Sequence, residues 1–274
     1  MSTQMWAGGP AHNFAERAAQ LLERVEYRRI ETVADLEQIL RLRYDAYLRE
    51  GAIVPNAQKQ LVDAFDDLEN AYTFGVFIDD ELASSFRVNV LAGEFRKSPA
   101  AEAFPDFFEP ALEAGQTFVD GNRFVANYEM ARRFPELPYL TVRIPYMAAV
   151  HFRSQYIAAS VRAEHQAFYV RGFGLYSVRA PRAYPTLTKP LGLMMVNFAE
   201  GGKEYIEKRH PYYASSVDER WRLFRTKTHR RVSTRTGRTD DRKFCVSLPR
   251  LFSRQDRHGR VGACGFPMPL TPSA

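Results

Sequence analysis

The segment at 115–124, GQTFVDGNRF, places Asp120, Asn122 and Arg123 inside an apolar run that predicts a buried strand. A buried strand carries charged side chains only when they are paired or serve a site. Strict alternation puts Asp120 and Asn122 on one face and Arg123 on the other. Gly121, however, is typical of a β-bulge or of a close approach to a ligand, and a bulge would rotate Arg123 and free backbone amides. The strand therefore predicts either an internal acid–arginine pair that closes the fold or a polar site beside the sheet.

The other hydrophobic patterns predict a mixed α/β order. Thr32 and Asp35 resemble a capping box, and the apolar face of the helix that they open includes Arg43, which needs a partner there. In the second strand of a predicted hairpin, alternation puts Arg87 on the polar face. The other predicted elements are helices at 13–25, 139–156 (limited at its start by Pro145) and 165–171, strands at 26–30, 72–78, 82–91, 157–162, 174–179 and 191–198, and a Phe-rich excursion with short helical pieces at 93–114.

The net charge of +6 is unevenly distributed along the chain. Residues 201–274 contain 17 Lys and Arg against 7 Asp and Glu, whereas residues 1–200 contain 21 against 25. We therefore predict one domain at 1–200 and a basic extension at 201–274 that packs on or beside it. Such a segment attracts nucleic acid, anionic lipid or an acidic protein alike. Because it lacks dense interleaving of aromatic and basic residues, we expect no nucleic-acid partner.

The N-terminal residues contain no basic region followed by an apolar run, and no stretch approaches the roughly 20 apolar residues that span a bilayer. We expect a cytoplasmic protein without a transmembrane segment. Cys245 and Cys264 are the only cysteines, which is typical of neither a disulfide framework nor a zinc site. We therefore expect reduced thiols and no bound metal.

Several of these residues, taken in order, resemble motifs of the acyl-homoserine-lactone autoinducer synthases. That family has an arginine with a following aromatic on its first helix, spaced acids, a strand arginine and a Glu-x-Ser-Arg strand. The matching residues here are Arg43, Tyr47, Asp66, Asp67, Arg87, Asp120, Asn122 and Arg123. The acid of the last motif is one methylene shorter in this chain, and an amide replaces its hydroxyl.

The later half is more similar to a related branch of the GNAT acyltransferase superfamily, the N-acyl amino acid synthases. The residues that carry this resemblance are His165, Phe168, Tyr169, Gly174, Leu175, Ala183, Tyr184, Pro185 and the strand LGLMMVNF. Both resemblances together cover roughly residues 26 to 200. They imply a GNAT-like fold, in which a mixed, mostly antiparallel central sheet is flanked by helices.

The resemblance implies an N-acyltransferase that moves a long-chain fatty acyl group to the amine of an amino acid or a related small molecule. Its implied donor is the acyl-phosphopantetheine of acyl-carrier protein, an acidic partner, with no bound cofactor. GNAT enzymes that use coenzyme A have a glycine-rich loop after the fourth strand, whereas this chain has VANYEMARRFPELP there, without glycine. Two alternatives stay open: an autoinducer synthase that makes a lactone, and a non-catalytic binding module on the same fold.

Aminolysis of a thioester uses a base for the amine and an acid for the leaving thiolate. We assign these roles to Asp120, directly or through a water, and to Tyr169, for which simple packing against the short helix is an equal alternative. Amides freed at Gly121 would polarise the carbonyl. The expected substrate-binding residues are Arg43, Tyr47, Asp67, Arg87, Asn122, Arg123 and His165. The expected acyl-carrier-protein surface is Arg132, Arg133, Arg143 and Arg153. An acyl tunnel lined by Phe104, Phe107, Phe108 and the central helix competes with ordinary core packing for these side chains.

Overall fold

A computed structural model describes residues 13–225 of the 274-residue chain. These residues form a seven-stranded sheet of order β1-β2-β3-β4-β5-β7-β6, with helices on both faces. The strands are β1 Val25–Arg29, β2 Ala71–Ile78, β3 Glu81–Leu91, β4 Phe118–Ala126, β5 Tyr156–Val161, β6 Tyr176–Tyr184 and β7 Leu187–Asn197. The helices are α1 Phe14–Leu22, α2 Val33–Arg49, α3 Pro99–Ala103, α4 Pro105–Glu113, α5 Tyr128–Arg133, α6 Leu137–Phe152, α7 Gln166–Phe173, α8 Lys203–Arg209 and α9 Val217–Phe224.

The pairing of the strands confirms the predicted mixed, mostly antiparallel sheet. Only β4 and β5 pair in parallel, and the connection between them contains α5 and α6. Their pairing ends at Gly121 and Ala159, although β4 continues to Ala126 and β5 to Val161. The two strands therefore separate toward their carboxyl ends, which leaves a gap in the middle of the sheet.

Local sequence signals explain where the main helices begin. The backbone N–H of Asp35 donates to Thr32 Oγ1 over 3.1 Å, which confirms Thr32 as the N-cap of α2. Helix α6 begins at Leu137 and has Pro138 in its first turn, where a proline's missing N–H costs nothing. The prediction that Pro145 limits the start of this helix is wrong, because Pro145 lies inside it.

Two hydrophobic cores lie on opposite faces of the sheet. The larger core lies between the sheet and helices α1, α6, α7, α8 and α9. It contains Phe74, Phe86 and Leu140. The smaller core lies beneath α3 and α4, where the ring centroids of Phe108 and Phe118 are 5.2 Å apart. Phe104, Phe107 and Phe108 pack in this smaller core and line neither of the cavities described below, so of the two interpretations of these side chains the structure favours ordinary core packing over an acyl tunnel.

The described part of the predicted extension packs on the larger core. Ile206 from α8, Phe224 from α9 and Tyr213 between them are all buried there. Most of the predicted extension, namely residues 226–274 with Cys245 and Cys264, lies outside the described residues. The domain boundary at residue 200 stays a prediction. Between residues 13 and 225, no helix combines the length and apolarity needed to cross a bilayer.

Candidate active site

Five buried charges form one continuous network between α2, the loop before β2, and strands β3 and β4. Asp66 Oδ1 accepts from Nη1 of both Arg43 and Arg87, each over 2.7 Å. Asp63 accepts from Arg87 Nη1 over 2.7 Å and from Arg123 Nε over 2.7 Å. Because the two acids alternate with the three arginines, every charge in the network has an opposite neighbour.

Burial and pairing act against each other in this network. Burial alone would raise the pKa of the Asp63 carboxyl, but the hydrogen bonds and charges of Arg87 and Arg123 outweigh burial and lower that pKa well below its usual range. Arg43 and Arg87 have no exposed surface. We correct their predicted role as substrate-binding residues, because both are held in internal ion pairs and neither lines a cavity.

The acid that the sequence prediction missed is Asp63. The prediction names Asp67, which is exposed and does not belong to the network, whereas Asp63 is buried at its centre. The signal was present in the spacing of the segment DAFDD, where Asp63 lies three residues before Asp66. The ion pair that the sequence suggested between Asp120 and Arg123 does not form, since Arg123 pairs with Asp63 instead.

A β-bulge in β4 lies at Arg123. Ser85 pairs with Val125 and Arg87 pairs with Asn122, so β4 has one residue more than β3 between these points. Arg123 takes the left-handed conformation with φ 51°. Its side chain is fixed by Asp63, by a hydrogen bond to Thr186 Oγ1 and by the ring of Tyr47, 5.6 Å away.

The predicted bulge at Gly121 is therefore wrong by two residues. Gly121 pairs regularly with Val88 on one side and with Ala159 on the other. Its missing side chain serves another purpose: a Cβ at this position would lie 3.0 Å from Cζ of Phe86. The glycine marks a close approach to an aromatic ring, which is the other common meaning of a glycine inside a strand.

A cavity of about 630 Å³ occupies the gap between the separated ends of β4 and β5. Five of the predicted site residues line it, namely Tyr47, Asn122, Arg123, His165 and Tyr169. Because pairing with β5 ends at Gly121, the backbone groups of residues 122–126 on that edge of β4 have no partner strand in the described part of the chain. Polar backbone, aromatic side chains and an apolar interior therefore meet in one cavity.

Asp120 is fully buried beside the cavity and does not line it. Its Oδ2 accepts from the backbone N–H of Ala100 over 3.2 Å, and its Oδ1 has no hydrogen-bond partner among the described residues. Burial raises the pKa of the Asp120 carboxyl to about 6. Of the two predicted routes, directly or through a water, the direct action of Asp120 on the amine is wrong, because Asp120 does not line the cavity.

Tyr184 lines the cavity next to Asp120. Burial, followed by the charge of Asp120, raises the pKa of the Tyr184 hydroxyl far above its usual value. Within residues 13–225 this hydroxyl has no hydrogen-bond partner. Tyr184 was not among the predicted site residues, although the resemblance to the N-acyl amino acid synthases includes its Ala-Tyr-Pro segment.

Tyr169 lies on α7 and lines the cavity, as Tyr47 from α2 does. Burial, with a smaller contribution from Tyr47, raises the pKa of its hydroxyl well above the usual value, so the hydroxyl keeps its proton at neutral pH. His165 lies exposed at the mouth, where its Nε2 is 2.5 Å from Nη2 of Arg162. Arg162 is itself paired with Glu50 over 2.6 Å.

The four arginines of the predicted acyl-carrier-protein surface lie in different places. Arg132 and Arg133 are exposed on α5, which borders the cavity mouth. Arg143 is buried and pairs with Glu219 over 2.6 Å, so its assignment to this surface is wrong. Arg153 is exposed but follows the far end of α6, which is about 24 Å long at the usual rise per residue.

The turn from β4 to α5 is closed to an anionic ligand. Asn127 caps α5, and its Oδ1 accepts from the backbone N–H groups of Glu129 and Met130 over 3.0 and 3.2 Å. Glu129 adds a negative charge in the first turn. These two amides are therefore already satisfied, and the charge next to them repels a phosphate.

The strand order, the parallel pair that separates and the cavity in the gap define a GNAT-like acyltransferase fold. Residues 38–197, more than half of the chain, match the family model of the N-acyl amino acid synthase FeeM. The chain therefore belongs to the FeeM family of N-acyl amino acid synthases, and it is an acyltransferase.

Solved structures show the same fold at low sequence identity. FeeM, an N-acyl amino acid synthase from uncultured soil microbes, matches with a TM-score of 0.55 and 16% identity, over 65% of this chain and 92% of its own. The CoA-dependent acyl-homoserine lactone synthase BjaI matches with a TM-score of 0.50 and 15% identity, over 70% of this chain and 92% of its own. No curated protein sequence matches this chain.

Proposed function

We propose that this protein transfers a long-chain fatty acyl group from acyl-carrier protein to the amine of an amino acid or a related small molecule. The observation that carries this proposal is the cavity between β4 and β5, which joins unpaired strand backbone, a protonated tyrosine and an apolar interior. Membership of the N-acyl amino acid synthase family supports the amide product.

The closed turn before α5 supports acyl-carrier protein rather than coenzyme A as the donor. Coenzyme A carries a pyrophosphate that GNAT enzymes bind with amides at this turn, and here Asn127 and Glu129 take that place. A donor held through a protein surface does not need those amides. Arg49 and Arg132 are exposed around the mouth and complement an acidic partner.

In the proposed reaction, the amine nitrogen attacks the carbonyl carbon of the thioester, and the carbon–sulfur bond of the resulting tetrahedral intermediate breaks. Backbone N–H groups of β4 between residues 122 and 126 stabilise the oxyanion. The hydroxyl of Tyr169 gives its proton to the departing thiolate. The products are the amide and the free phosphopantetheine thiol.

The proton that the amine loses passes by way of Tyr184 and a bridging water to Asp120, because no direct hydrogen bond joins these two side chains. Tyr184 borders the cavity, and the charge of Asp120 acts on its hydroxyl. A carboxyl with a pKa of about 6 is ionised at neutral pH and can take up this proton. Asp120 is thus proposed as the final acceptor, and Tyr184 as the group that faces the substrate.

Arg123 is the arginine that we assign to an acceptor carboxylate. It lines the cavity, and its Nη1 has no hydrogen-bond partner among the described residues, although Nε and Nη2 are bound. His165, Tyr47 and Asn122 line the same cavity and complete the proposed binding residues.

The direct test is incubation of the purified protein with acyl-carrier-protein thioesters and a panel of amino acids, with products identified by mass spectrometry. We expect an N-acyl amino acid. An acyl-homoserine lactone would instead identify an autoinducer synthase. Absence of any amide across chain lengths and acceptors would overturn the proposed function. A parallel reaction with acyl-CoA tests the donor, for which we expect much slower turnover.

A further inference from the structure

A small pocket of about 20 Å³ lies next to the main cavity, on the α6 side of the sheet. Its lining is almost entirely apolar and includes Ile157, Phe173 and Ile206. Three residues, Phe86, Gly121 and Tyr169, line both the pocket and the main cavity. The pocket therefore adjoins the cavity at these three residues.

The main cavity and the small pocket lie one after the other along helix α6. Pro138 in its first turn borders the cavity, and Val142 and Pro145 in the next two turns border the pocket. These residues share one face of the helix, since they lie four and seven positions after the first. The pocket therefore leads from the reaction site into the larger core, the direction that an acyl chain would take.

Phe86 borders both of these spaces. It is buried, and its ring packs against Phe124 with centroids 5.6 Å apart. Gly121 faces the ring so closely that an added Cβ would lie 3.0 Å from Cζ and 3.2 Å from Cε1 of Phe86. The close approach of the glycine limits where the ring can lie, at a place where the ring borders both spaces.

We infer that Phe86, positioned by Gly121, sets the length of the acyl chain that the protein accepts by closing the passage from the main cavity into the apolar pocket. This inference rests on the proposed function, because it assumes that the apolar ligand is an acyl chain. The chain end would meet the Phe86 ring, and a longer chain would have to displace it.

Two substitutions test this with opposite signs. Phe86→Leu removes the Cε1 and Cζ atoms and opens the passage. The chain length up to which each added methylene still tightens binding should therefore increase. Gly121→Ala places a methyl group against the ring, so this limiting chain length should decrease. In the double variant the leucine lacks the two ring atoms nearest the new methyl, so the limit returns toward that of the wild type.

The measurement is displacement of a bound fluorescent fatty acid by saturated fatty acids from octanoate to stearate. Each methylene buried should tighten binding about fourfold until the chain meets the ring, after which the gain stops. We expect this break at longer chains for Phe86→Leu and at shorter chains for Gly121→Ala. Phe74→Leu is the matched control, because Phe74 is equally buried in the same core and lines neither space.

An unchanged break in both single variants would overturn the inference, and so would a shift of the same size in Phe74→Leu. Failure of the wild type to bind any fatty acid would also overturn it. The proposed function fails differently: fatty acids would bind with a defined break, yet acyl-carrier-protein thioesters and amino acids would give no amide.

Discussion

The buried charge network and the cavity lie side by side and meet at Arg123, yet they are built in different ways. The network consists of charged side chains that satisfy one another, and its members have almost no exposed surface. The cavity arises from backbone topology, because two parallel strands stop pairing and move apart. The network thus stabilises one wall of the cavity, whereas the proposed proton donor and acceptor, Tyr169 and Asp120, do not belong to it.

The strongest way to break this arrangement is to remove the acid that two arginines share. Asp63→Ala leaves Arg87 and Arg123 without their common partner in a buried site, which should lower the free energy of unfolding by about 3 to 5 kcal/mol. Urea unfolding followed by circular dichroism measures this loss. The bulge at Arg123 should lose its support as well, so any folded fraction should have little activity.

Asp67→Ala is the control for this comparison, since Asp67 is an exposed acid of the same loop. Its substitution should change the free energy of unfolding by no more than about 0.5 kcal/mol. Equal destabilisation by the two variants would show that the network does not hold the wall of the cavity.

On the cavity side, Tyr169→Phe removes the proposed proton donor while keeping the ring. Loss of a general acid typically slows a reaction about 10² to 10⁴-fold, and we expect kcat to fall within this range with little change in KM. Tyr128→Phe is the control, because Tyr128 lines the mouth and is 47% exposed. If steady-state assays give the same kcat for both variants, Tyr169 is not the proton donor and contributes only to packing.

Asp120 is a member neither of the charge network nor of the cavity lining. Its substitution should change stability and activity in opposite directions. Its pKa is raised from 3.8 to about 6, so the folded protein holds a proton on this carboxyl that the unfolded chain has lost. Stability due to this group is therefore present below about pH 4 and lost as pH rises toward 6. Asp120→Asn should raise the free energy of unfolding at neutral pH by up to about 3 kcal/mol, and by much less near pH 4.

The same variant should slow amide formation, because an amide side chain cannot take up the proton of the amine. In the wild type, kcat/KM should rise with pH through about 6 as Asp120 ionises, and Asp120→Asn should lack this rise. Unfolding curves and pH–rate profiles measured on the same preparations check both effects. A stabilised variant with full activity would exclude Asp120 from catalysis and leave it a purely structural acid.

The sequence predicts the first of the two regions better than the second, for a physical reason. An arginine on an apolar helix face, like Arg43, must have a partner, so a network can be inferred without knowing the fold. The bulge was misplaced because a glycine in a strand has two meanings, and the space needed by the Phe86 ring depends on a neighbouring strand. Arg143 shows the same limit, since only the fold brings Glu219 to it.

The smallest expected effect concerns the rim of the cavity, where the donor protein would dock. Reversing Arg132 and Arg133 to Glu should raise KM for an acyl-carrier-protein thioester about tenfold, because complementary charge at a rim acts mainly on encounter and is screened by salt. KM for an acyl-pantetheine thioester, which has no protein surface, should stay unchanged. Arg153→Glu makes the matched control, since this arginine is exposed at the opposite end of α6. Equal effects of both reversals, or an effect on the pantetheine thioester, would place the docking surface elsewhere while leaving the cavity's role intact.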